Sequence, residues 1–158
     1  MKQILLCALL FSGCAATPLR LPPQDMQPVE AQFGLRFHHA GRTLPLQGGV
    51  RMAANEGHLG VIFPHGRTLG VCRYRGSGME CTPAGGAGQS ASFALRQIGL
   101  AVYRLLPGLT REAAGDAELN GADWSARRQK TDAGLDIEYR DLNSQVTIDM
   151  HVTEIIRP

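Results

Sequence analysis

Residues Gln145–Ile155 read "QVTIDMHVTEI". Val146, Ile148, Met150 and Val152 alternate with Thr147, Asp149, His151 and Thr153. A period of two predicts a β-strand with one apolar face and one polar face. Such a strand belongs to an antiparallel sheet whose wet side meets solvent and whose greasy side needs a cover. The preceding stretch "GLDIEYRD" repeats the pattern, with Leu135, Ile137 and Tyr139 set against Asp136, Glu138 and Arg140. Far upstream, "QFGLRFHH" does so again through Phe33, Leu35 and Phe37.

Between these ends the same alternation recurs in short runs. "RTLPLQGGVRM" follows a turn at Ala40-Gly41, and its Pro45 points to an edge position or a bulge. "HLGVIF" offers Leu59, Val61 and Phe63; "PHGRT" turns; "LGVCRY" runs back; "RGSG" turns again into "MECT". This is a meander of consecutive antiparallel strands. "FALRQIGLAVYRLL" breaks it, with Leu95, Ile98, Val102 and Leu105 at helical spacing. Ser90 or Ser92 can cap this helix, and Pro107-Gly108 is expected to end it. The helix is apolar almost all round, so it is expected to be buried against the sheet. "TREAAGDAELNG" reads as a short helix or loop before the last strands. The expectation is a mainly β chain: about five strands, one main helix, then about three strands. One helix is narrow cover for so wide a sheet. Either the sheet curls on itself, or a concavity is left for something else.

The chain opens "MKQILLCALLFSGCAATP". Lys2 supplies a positive start, Ile4 to Phe11 an apolar run, and Ser12-Gly13 small residues: the layout of a secretory signal peptide over residues 1–13. Phe11-Ser12-Gly13-Cys14 resembles a bacterial lipobox. That resemblance implies cleavage before Cys14 and its acylation, with two or three chains forming a stable anchor. Ala15, rather than Asp, then implies the outer membrane, with the domain facing the periplasm. Residues 14–31 form a tether in which Pro18, Pro22, Pro23 and Pro28 favour extended chain. Residues 32–158 remain as a single β-rich domain.

This placement decides the cysteines. Cys7 leaves with the signal peptide and Cys14 carries lipid, so Cys72 and Cys81 remain in an oxidising compartment. No Cys or His stands at zinc-ligand spacing beside them, and eight residues separate them where a redox motif needs two. If Gly76-Ser77 is a two-residue turn, Cys72 faces Cys81 in a non-hydrogen-bonded pair close enough for a disulfide.

The chain has 158 residues; without the first 13 it has 145, enough for one core. The net charge is +2, falling to +1 with the loss of Lys2, and the arginines are scattered, so no nucleic-acid partner is expected. "GAGQSA" fits a dinucleotide fingerprint, but no parallel strand follows the helix it opens. Ser77 lacks the spacing of a nucleophile elbow. His38 and His39 are adjacent on a strand and point to opposite faces, and His58, His65 and His151 lie apart. Solvated histidines are expected, with no metal and no cofactor. No nucleophile–base pairing is legible, so no enzyme is expected.

A lipidated cysteine, a proline-rich tether, a meander, one apolar helix and closing strands are similar to the LolA/LolB-type lipoprotein carriers. They resemble most the short outer-membrane lipoproteins often encoded in aryl-polyene gene clusters. The residues concerned are "LRFHHAGRTLPLQGGVRM", "GRTLGVCRY", "FALRQIGLAVYRLLP" and "LDIEYRD", within Phe33 to Ile156. The resemblance implies a half-barrel of antiparallel strands with the helix on its concave face. It also implies binding of an acyl chain or lipid, in envelope lipid or polyene-lipid transport. The expected lining is Phe33, Leu35, Phe37, Leu59, Val61, Phe63, Ile137, Ile148, Met150 and Val152 of the sheet, and Ile98, Val102 and Leu105 of the helix. The alternative is an outer-membrane scaffold or assembly partner whose core is filled.

Overall fold

The computed structural model describes residues 28–53, 56–76, 78–110 and 116–156. The signal segment, Cys14, most of the tether and Ser77 lie outside them. Two meanders make one antiparallel sheet. The first is β1 (Val29–His39), β2 (Arg42–Ala53), β3 (Glu56–Ile62), β4 (Thr68–Arg75) and β5 (Gly78–Pro83). Helix α1 (Gln89–Thr110) follows. The second meander is β6 (Ala117–Asn120), β7 (Trp124–Thr131), β8 (Gly134–Asp141) and β9 (Val146–Ile156). Among the described residues the sheet has nine strands in the order β5-β4-β3-β2-β1-β9-β8-β7-β6, and it does not close.

The connectivity explains the helix. β5 and β6 are the two edges, so the chain between them must cross the whole sheet. Eight strand spacings make about 38 Å. A helix of 22 residues is about 33 Å long, close to that span. A flat sheet of that width would leave most of its apolar face uncovered by one helix about 10 Å across. Yet Leu59, Leu69 and Tyr74 in the first meander and Ala126, Ile137 and Tyr139 in the second are all buried in one cluster. The sheet therefore curls around α1, with the helix in the concavity, and each half helps to cover the other.

β1 and β9 meet at the centre, with Leu35 against Met150 and Phe37 against Ile148 on the inner side. The alternation seen in the sequence is the alternation of faces: β1 as far as Phe37, β8 and the first eight residues of β9 bury every second residue. β1 begins at Val29, three residues before the start expected for the domain, and Val29 and Ala31 are already core. Pro45 sits in an interior strand, but the β2–β3 pairing starts only at Gln47. Its missing N–H therefore falls on a stretch with one neighbour.

Two expectations need correction. The helix does not stop at Pro107-Gly108 but continues to Thr110. A proline has a helix-compatible φ and removes one hydrogen bond, which an otherwise established helix can lose without ending. The segment before the last strands is not only helix or loop. Ala117–Asn120 forms edge strand β6, paired to β7 with Leu119 against Ala126. Four residues are too few for a period of two to stand out.

Candidate functional site

The residues expected to line a ligand site do share one layer. Phe33, Leu35, Phe37, Leu59, Val61, Ile137, Ile148, Met150 and Val152 lie on the sheet's inner side, and Ile98, Val102 and Leu105 on α1. None of these is more than 5% exposed. Phe63, just past the end of β3, is partly buried and stacks on His65 with ring centroids 5.4 Å apart. Leu95, Tyr74 and Tyr139 fill the space between them and belong to the same cluster. The layer is thus packed against the helix and against itself, as a core is. The helix lies on the concave face, as expected from the sequence, because the crossing from β5 to β6 lays it there.

The helix approaches β4 and β5 through glycine. A Cβ on Gly99 would lie 2.8 Å from Cys72 Sγ, 2.9 Å from Met79 Sδ and 3.1 Å from Cys81 Sγ. A Cβ on Gly70 would lie 2.4 Å from Leu95 Cδ2. Cys72 and Cys81 are disulfide-bonded with Cα atoms 4.0 Å apart. Their register sets Arg75 against Gly78, Tyr74 against Met79 and Arg73 against Glu80. Gly76 has φ 53°, which suits glycine at the first turn position. The Tyr74 hydroxyl donates to the Gly99 carbonyl at 2.7 Å. Burial pushes that phenol far above its usual range, so it remains a neutral donor. Replacing both Cys72 and Cys81 by Ala should lower stability by about 2–3 kcal/mol, the scale for a short closed loop. The check is the urea midpoint, and an unchanged midpoint would show that the hairpin holds without the bond.

A polar network fixes the other side of the helix. Arg104, on α1, donates through Nη1 to Tyr139 Oη at 2.5 Å and to Asp141 Oδ2 at 3.0 Å. Its Nη2 donates to both Asp123 oxygens at 3.3 Å, and its guanidinium carbon lies 5.7 Å from the centre of the Trp124 ring. Asp141 Oδ1 also accepts from the Asn143 and Ser144 amides and the Ser144 hydroxyl. Burial pushes Asp141 up, but the Ser144 bonds and the Arg104 charge outweigh it and hold the carboxyl below its usual range. Burial raises the Tyr139 phenol, which Arg104 only partly offsets, and it is pushed up to about 12. The network joins α1 to β8 and to the turns that precede β7 and β9.

The polar face of the sheet carries two open depressions of about 610 and 780 Å³. The smaller is walled by Arg36, Pro45, Arg127, Asp136, Glu138, Asp149 and His151 among others. The larger has Gly34, Gly49 and Gly60 in its floor and Gln32, Arg51 and His58 at its sides. His38 and His39 point to opposite faces. His39 lies among Phe37 and Phe93, with its ring 4.8 Å from that of Phe93. His38 contacts Thr43 and Asp149, and His151 Nδ1 lies 2.5 Å from Asp136 Oδ1. So two histidines expected to be simply solvated are paired with carboxylates across strands. Asp149 and Asp136 lie 111 and 15 residues from their histidines, which hides both pairs from a local reading of the chain. Among the described residues, no group of three or more His, Cys, Asp or Glu is placed to hold a metal ion. Nor is any described helix long and apolar enough to cross a membrane.

No family model and no curated protein matches the chain. The crystal structure of a DUF1329 family protein from Desulfovibrio piger ATCC 29098 at 1.75 Å resolution is distantly similar. Its TM-score is 0.34 at 7% sequence identity, over 84% of this chain and 86% of that one. A likeness this remote carries no argument about activity or partners.

Proposed function

We propose that the protein is an outer-membrane lipoprotein, anchored through acylated Cys14 and facing the periplasm, that acts as a scaffold or assembly partner through its polar sheet face. The observation that carries this reading is the occupied concavity. Twelve of the thirteen residues expected to meet an acyl chain are buried against each other and α1. Both described depressions open instead on the polar side. The lipid anchor and the location rest on the signal-like start and on the lipobox resemblance. A second reading, binding of an acyl chain or lipid for envelope or polyene-lipid transport, is supported by one feature. Among the described residues α1 is the single helical cover over the apolar layer, and Gly85, Gly86 and Gly88 precede it, with Gly86 at φ 78°. A glycine-rich entry lets a helix reorient more readily than most sequences do. The delipidated protein, titrated with a fluorescent fatty acid, separates the two. The scaffold reading expects no saturable uptake; stoichiometric, saturable uptake lost in Ile148→Glu would favour the carrier.

A further inference from the structure

His38 of β1 stands between Thr43 of β2 and Asp149 of β9. Thr43 Oγ1 lies 2.9 Å from His38 Nδ1, and His38 Nε2 lies 2.9 Å from Asp149 Oδ2. An ionised carboxylate only accepts hydrogen bonds, so Nε2 carries the ring proton. That leaves Nδ1 as the acceptor and makes the Thr43 hydroxyl its donor. Asp149 therefore selects the one neutral tautomer in which the ring can take a proton from Thr43. Hydroxyl, imidazole and carboxylate in this order are the parts of an acyl-transfer triad, which is recognised by geometry and not by sequence position.

The geometry points to an acyl-transfer centre on the polar face, with Thr43 as nucleophile, His38 as base and Asp149 as the group that orients it. The substrate class is an activated acyl ester. All three groups sit on paired strands, with His38 directly opposite Thr43 in register, so their spacing is set by the sheet. The site is open: Thr43 is exposed, and the side chains of His38 and Asp149 are 33% and 50% accessible. Of the three groups only Asp149 lines the 610 Å³ depression, together with Arg36 and Pro45, so the centre stands at the edge of that depression. Arg36 is opposite Asp149 in register and lines the same depression.

In the first step Thr43 Oγ bonds to the ester carbonyl carbon while its proton passes to His38 Nδ1. The bond from that carbon to the alcohol oxygen breaks, and the alcohol leaves with the proton held by His38. Water then attacks the acyl-threonine by the same route, releasing the acid and restoring the hydroxyl. The sum is ester plus water giving acid plus alcohol, with no other reactant. This inference does not depend on the scaffold reading.

The test uses the full chain in detergent with p-nitrophenyl butyrate, following p-nitrophenolate release and mapping the acylated peptide. Thr43→Val should release product at least about 100-fold more slowly than the wild type, since losing the nucleophile costs no less than losing the base, whose contribution starts at about 100-fold. His38→Gln and Asp149→Asn should fall with it, Thr43→Ser should retain turnover, and the acyl group should map to Thr43. Urea midpoints of the variants confirm that folded proteins are being compared. Equal rates for folded wild type and Thr43→Val, or an acyl group on another residue, would overturn the assignment and leave the contacts as a cross-strand clasp.

Discussion

Gly99→Val should destabilise the protein by about 3 kcal/mol, at the upper end of what overpacking costs in a tight core. A valine Cβ would collide with both sulfurs of the Cys72–Cys81 pair and with Met79 Sδ. The bonded sulfurs have no rotamer into which to retreat, and the neighbouring Ile98 and Val102 are themselves fully packed in the core. Gly99→Ala should lose less but keep the sign, although alanine is the better helix former by about 1 kcal/mol. The contrast is Gly60→Ala. Nothing lies within 4 Å of a Cβ built there, and its φ is not in the left-handed range. That change should be neutral or stabilise by roughly 0.5–1 kcal/mol, the ordinary gain on replacing glycine in a strand. Urea midpoints for the three variants check the pattern. If Gly99→Val is as stable as the wild type, α1 does not lie against the disulfide as described. Removing both sulfurs in the same chain should recover part of the loss, because the clashing atoms go with them.

Arg104→Ala should cost about 3–5 kcal/mol, the range for stripping one partner from a buried ion pair. The Asp141 side chain is only 5% exposed and would keep its charge with neutral donors from Asn143, Ser144 and Tyr139 but without the Arg104 cation. Adding Asp141→Asn to Arg104→Ala should recover part of the loss, since no unpaired charge then stays buried. The pH dependence has a fixed sign. Asp141 titrates below its usual range in the folded protein. It therefore contributes stability that is fully present above the unfolded carboxyl value of about 3.9. That stability is lost as pH falls through the lower folded value. In Arg104→Ala this acid-limb loss should shrink, because the guanidinium is one of the groups holding the carboxyl down. A wild-type midpoint flat from about pH 5 downward would contradict the network, since carboxylates paired in the native state must show this linkage.

What the chain discloses on its own follows from how local each interaction is. The faces of β1, β8 and β9 are legible because the strand period is two and their alternation is nearly unbroken. The Cys72–Cys81 register is legible because a two-residue turn fixes every pair behind it. β6 is hidden by its length, and the end of α1 by a proline whose effect depends on what already holds the helix. The Arg104 network joins residues 19 and 37 positions apart, and the Asp149 contact to His38 spans 111. No periodicity encodes such distances. The alternation also identifies an apolar side without saying how deep it is. Whether the concavity is empty depends on the crossing from one sheet edge to the other, a property of strand order that pattern reading does not supply.

Native-state hydrogen exchange tests most directly whether the apolar layer is filled by α1. In a filled core, amides between Leu95 and Leu105 exchange only when the whole domain unfolds. Their exchange free energies then equal those of β1 and β9. If the α1 amides instead exchange through a lower-energy opening while β1 and β9 stay protected, the helix is a cover that lifts. The concavity would then be a binding site, and the filled-core account would be wrong.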